Sequence, residues 1–153
     1  MTPSQLAVLK TLVLADPTAA AYYANGNDTQ LADWLNINTT YVVWRSALTP
    51  EMSRMAIVVG AIQLDNLTVG KRDTLLYIAQ GNLDVTQLSV RQAIDDLCGS
   101  QATLKTALQD AQKRVTTRAE KALATGTGTT AVPALLGWEG VLDQSIGSQL
   151  RGL

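Results

Sequence analysis

The chain has 153 residues, a length that suits one domain with a modest core. Apolar residues make up 46% of it and charged residues 16%, against about 25% in ordinary globular chains, and the formal net charge is −1. It has no histidine and one cysteine, Cys98, which excludes an internal disulfide and a His/Cys zinc site and removes the commonest general base at neutral pH.

So few charges suit a subunit that buries much of its surface in a permanent assembly; the plainer alternative is a small apolar domain. Cys98, beside Gly99 at an expected helix end, reads as a small buried hydrophobe. The first 44 residues carry one cation, Lys10, and no secretory signal is recognisable. No stretch reaches the roughly 20 apolar residues that cross a bilayer. No membrane partner is expected, and the place of synthesis is expected to be a cytoplasm.

Thr2-Pro3-Ser4-Gln5 has the cap, the first-turn proline and the third-position amide of a helix start. Leu6, Leu9, Leu12 and Val13 form its apolar face. It stops at Ala15-Asp16-Pro17, where Asp16 and Pro17 begin a second helix that ends at Asn25-Gly26. Asp28 is expected to cap a third helix, Thr29 to Asn36, with Leu31, Trp34 and Leu35 inward. Tyr41 to Trp44 reads as a short strand or an extended segment. Thr49-Pro50-Glu51 opens another helix. Ala56 to Leu64 is apolar around Gly60 and fits helix or strand equally.

Asn66 to Asp73 opens a helix running to Gln80 and closed by Gly81. Ser89 is expected to cap another, Val90 to Leu97, closed by Gly99. The longest helix is expected from Ser100 or Gln101 to about Ala124. Leu104, Ala107, Leu108, Ala111, Val115, Ala119, Ala122 and Leu123 give it an amphipathic face. Its other side carries Lys105, Lys113, Arg114, Arg118 and Lys121. A Thr/Gly tract follows, then Ala131 to Trp138 and a short helix from about Leu142 to Leu150.

The expected fold is therefore mostly α. It is a small helical bundle with a long amphipathic helix, an extended Gly-linked C-terminal segment and at most one or two short strands. The expected organisation is a helical domain over 1–124, a flexible linker over 125–130 and a docking segment over 131–153. The linker reads as a hinge or as an ordinary surface loop.

No catalytic residue, cofactor or metal site emerges from the motifs. Gly126-Thr127-Gly128-Thr129-Thr130-Ala131 matches a dinucleotide pattern, but a charged helix precedes it and Val132-Pro133 follows. Val69-Gly70-Lys71-Arg72 lacks the first glycine and the Ser/Thr of a phosphate loop. Asp95-Asp96 has no further acidic partner nearby in sequence. Lys113, Arg114, Arg118 and Lys121 are the one concentration of charge. They suit phosphates or an acidic protein surface, and as a solvated helix face they also favour the helix C-terminus. Val132, Leu135, Leu136 and Trp138 are the apolar groups of the docking segment.

Several stretches carry a resemblance. They are Thr2-Pro3…Leu6…Leu9-Lys10 with Ala15-Asp16-Pro17, Asp33-Trp34-Leu35-Asn36, and Val43-Trp44-Arg45. They continue with Leu64 to Arg72, Thr117-Arg118-Ala119-Glu120-Lys121 running into Gly126-Thr127-Gly128, and Glu139-Gly140-Val141-Leu142. In that order, over nearly the whole chain, the sequence resembles small virion-morphogenesis proteins of tailed bacteriophages. The resemblance implies a head-to-tail connector, an adaptor that forms a ring beneath the portal protein and joins the DNA-filled head to the tail. Its implied partners are copies of itself, the portal protein, a tail or nozzle protein, and double-stranded DNA passing through without sequence preference. Its implied location is the virion, at the head-tail interface, after assembly in the host cytoplasm. Other readings are a tail-completion or capsid-associated protein and a small DNA-binding regulator.

Overall fold

Threonine, aspartate and proline punctuate the first helices as their spacing predicts. In the computed structural model, which describes residues 1–153, Thr2 caps helix α1 (Pro3–Ala15) through a reciprocal capping box with Gln5. Asp16 Oδ1 accepts the N–H groups of Thr18 and Ala19, both at 3.0 Å, and so caps α2 (Pro17–Ala24). Helix α3 spans Asp28–Leu35. Asp28 does not cap it. The cap position is Asn27, and the Asp28 carboxylate turns to Arg151 instead, at 2.6 Å.

Strand β1 covers Asn38–Trp44, longer than the aromatic stretch that announces it. Helices α4 (Pro50–Val59), α5 (Ala61–Asp65), α6 (Val69–Ile78) and α7 (Leu88–Cys98) follow. The ambiguous run from Ala56 is thus helical, and Gly60 divides it. Ser89 lies inside α7 rather than capping it; Gln87 holds the cap position.

The long helix expected from Ser100 to Ala124 is three elements: α8 (Ala102–Ala111), strand β2 (Lys113–Thr117) and α9 (Arg118–Leu123). The cause is local. Val115, Thr116 and Thr117 are consecutive β-branched residues, stiff in a helix and favoured in a strand. Thr117 and Glu120 then form a second capping box, which restarts a helix at Arg118. Apolar periodicity alone passes over this break. The last helix is α10 (Ser145–Arg151).

Strands β1 and β2 form a two-stranded sheet. Arg118 N–H donates to Ile37 O at one end and Arg45 N–H to Gln112 O at the other, so the strands are antiparallel. The chain divides into two units. Unit 1 contains Met1–Val43 and Val115–Leu153, and unit 2 contains Trp44–Arg114. Each has its own core. Unit 1 buries Leu9, Val13, Leu31, Leu35, Ile146 and Leu150 among others. Unit 2 buries Leu48, Ile57, Leu75, Ile94, Leu104 and Leu108, with Cys98 among them.

These boundaries differ from the division at 124, 130 and 131 that composition suggests. Residues 125–153 belong to unit 1 and are bonded into it. Thr125 and Leu135 exchange two backbone hydrogen bonds of 2.9 Å, Val42 N–H donates to Gly128 O at 2.8 Å, and Tyr41 Oη donates to Gly126 O at 2.7 Å. Gly128 has φ +69°, and a Cβ there would lie 2.0 Å from the Tyr41 ring. In the single chain the Thr/Gly tract is therefore a closed loop of unit 1, the alternative to a hinge.

Candidate functional site

Three features of the expected site fall in different places. Lys113 and Arg114 are neighbours on β2, where successive side chains point to opposite faces. Lys113 lies 3.5 Å from Asp110 and 6.0 Å from the Trp44 ring, within unit 2. Arg114 is half-buried on the same strand. Arg118 and Lys121 sit on α9 in unit 1. Arg114, Arg118 and Lys121 therefore do not form the single helical stripe that their spacing suggests, because the chain passes from strand to helix between Arg114 and Arg118.

The capping box at Thr117 fixes where α9 begins and hence where Arg118 points. Its guanidinium lies over the Trp34 ring, 4.3 Å from the centroid. Nη1 of Arg118 is buried and has no acceptor. Lys121, one turn on, is exposed, and its Nζ is 5.8 Å from the Tyr41 ring. Leu12, Asp16, Trp34, Thr39, Arg118 and Lys121 line a cleft of about 480 Å³ in unit 1. Thr39 Oγ1 is engaged with Thr116, 2.9 Å away. Asp16 uses Oδ1 as the α2 cap. The cleft thus presents two cations against one carboxylate over an aromatic floor.

The docking residues of the C-terminal segment also part company. Val132 and Leu135 are exposed, at 56% and 44%. Leu136 is half-buried. Trp138 packs on the core of unit 1. Beyond it, Leu142, Ile146 and Leu150 belong to that core. The segment is a structural part of its own unit as well as a bearer of two exposed apolar groups.

An uncovered apolar surface lies where sequence reading placed no site. In unit 2, Met55, Val58 and Val59 on α4 and Ile62 on α5 are 66%, 73%, 68% and 85% exposed. Tyr77 on α6 is also exposed. Val58 and Leu76 share the wall of a mostly apolar groove of about 550 Å³ between α4 and the end of α6. Ala56 and Ile57 are buried while Met55, Val58 and Val59 face outward, so the apolar run supplies both the core side and the exposed side of this helix end.

Several other titratable groups have structural partners. Asp95 accepts both contacts of the Gln109 amide, at 3.0 and 2.9 Å, and lies 3.3 Å from Lys105. Asp96 contributes its backbone carbonyl to Lys71. No three Asp, Glu or Cys side chains gather as a metal-ligand group. Cys98 is fully buried, and burial pushes its thiol up to about 11 from the ordinary 9.0. Arg91 stacks on Trp44 at 4.2 Å and donates through Nη1 to the carbonyls of Val85 and Thr86. No helix is long and apolar enough to cross a membrane. No family model, curated protein or solved structure matches the chain.

Proposed function

We propose that the protein is a structural adaptor of a tailed-phage particle, a ring subunit bound beneath the portal that links head to tail. The observation that carries this reading is the exposed apolar face of unit 2, formed by Met55, Val58, Val59 and Ile62. Monomers seldom leave contiguous apolar surface of this kind uncovered. A ring subunit meets its neighbours head to tail, so it needs apolar surface that a free monomer does not. The low charge of the whole chain, 16%, and the resemblance of its local sequence to phage morphogenesis proteins support the same reading. In this reading copies of the chain cover the unit 2 face, and the portal and a tail or nozzle protein meet the ring. Its place is the virion.

Contact with DNA has lost the continuous basic stripe that suggested it, since Lys113 and Arg114 lie on β2. The regulator reading needs a recognition helix with side chains suited to base edges, and the Gln109 amide of α8 is instead bonded to Asp95.

Co-sedimentation of the purified protein with the portal ring of the same particle tests the proposal. Stoichiometric capture is the expected result. Failure of the portal ring to retain the protein would move it elsewhere in the particle, as a tail-completion or capsid-associated component.

A further inference from the structure

We infer that the Trp34–Arg118–Lys121 cleft of unit 1 is a receptor for a glutamate or aspartate side chain carried on an apolar segment of a partner protein. The inference does not depend on how unit 2 assembles. It starts from Arg118. A guanidinium carries five N–H donors. This one lies over Trp34, 4.3 Å from the ring centroid, with Nη1 buried and without an acceptor. The side chain also lines the open cleft with no carboxylate paired to it, so an acceptor entering the cleft meets an uncompensated guanidinium, and a charged acceptor gains most. Contact with Trp34 restricts the guanidinium before any ligand arrives, which lowers the freedom lost on binding.

The surroundings select the kind of acceptor. Lys121 adds a second cation at the mouth, and Asp16 places one carboxylate on the wall. The cleft is therefore one positive charge in excess, which matches a single carboxylate. A phosphate dianion would meet Asp16 with two charges. Leu12 and Trp34 form an apolar floor, which suits the methylene stem of an acidic side chain and an apolar neighbour. A nucleic-acid backbone wants cations repeated along a surface. The next basic residues back along the chain, Arg114 and Lys113, lie instead on β2 in unit 2, with Lys113 close to Asp110.

The test is NMR titration of the full chain at low ionic strength, reading the indole N–H signals of its three tryptophans. The probe is the blocked peptide acetyl-Leu-Glu-Leu-amide, with acetyl-Leu-Gln-Leu-amide, inorganic phosphate and a short DNA duplex as comparisons. The expected result is a saturable shift of the Trp34 indole with the glutamate peptide, little with the glutamine peptide, and Trp44 and Trp138 unmoved. Arg118→Gln is expected to weaken the glutamate peptide about tenfold. Lys121→Gln, on an exposed position that leaves folding intact, is expected to weaken it about twofold to fivefold. Equal response to phosphate would reduce the cleft to a general anion site and overturn the inference. Tighter response to DNA would replace it with a backbone contact. No saturable shift, or a shift untouched by Lys121→Gln and Arg118→Gln, would also overturn it.

Discussion

Gly147 is where one atom decides whether the C-terminal helix can dock. A Cβ at that position would lie 2.0 Å from Asp28 Oδ1. That oxygen is buried and unpartnered, while Oδ2 takes the Arg151 guanidinium at 2.6 Å. Gly147→Ala is therefore expected to destabilise unit 1 by about 1–3 kcal/mol in chemical denaturation, because the Asp28 carboxylate must shift and strain its bond with Arg151. The hydrogen bond from Arg151 holds the Asp28 carboxyl below its usual range. A lowered carboxyl stabilises the fold above its unfolded value and ceases to do so as pH falls through the folded one. The Asp28–Arg151 contact is thus expected to persist at neutral pH and to fail only in acid, which an acid titration of α10 amide signals would follow. Cys98 has the opposite sign. Its thiol is raised, so its contribution is complete below pH 9 and lost as pH climbs toward about 11. In the native protein at pH 8 it is expected to resist a thiol reagent and to react fully once denaturant is added.

At the scale of elements, the region from Gln101 to Ala124 shows what periodicity misses. Leu104, Leu108, Ala111, Val115 and Ala119 fit a helix, yet only the first three belong to α8. The decisive signals were short-range: three β-branched residues and the Thr117…Glu120 pair. Thr117→Ala is expected to cost about 0.5–2 kcal/mol and to loosen the start of α9, measured by denaturation and by exchange of the Glu120 amide. The N-terminal helices were legible because Pro3, Pro17 and Pro50 each follow a capping side chain whose bond the structure contains. Asp28 and Ser89 looked like caps and are not, since a cap depends on where the preceding turn leaves the backbone. The C-terminal segment was legible as apolar but not as core. Burying Leu142, Ile146 and Leu150 requires α1 and α3, which are distant in sequence. Each such side chain contributes about 1.5–3 kcal/mol. Deleting residues 131–153 is therefore expected to unfold unit 1 rather than merely remove a docking arm, visible as loss of helical circular dichroism.

At the scale of the molecule, the two cores and the two surface features separate stability from recognition. Unit 1 holds a charged cleft over Trp34, and unit 2 holds an apolar face on α4 and α5. Among the residues offered by sequence as a site, only Arg118 and Lys121 come together, because α9 carries both. Val132 and Leu135 remain exposed, while Trp138 is drawn to the core. The apolar face itself could not be read as exposed, since an all-apolar run is as consistent with a buried helix. The adaptor reading assigns that face to contacts between copies. Light-scattering mass of the full chain over a concentration series, beside the double variant Val58→Asp/Ile62→Asp, tests it most directly. The account predicts a discrete multi-subunit species for the natural sequence and a folded 16.3 kDa monomer for the variant, with matching circular dichroism. A 16.3 kDa monomer for both, at every concentration, would contradict it.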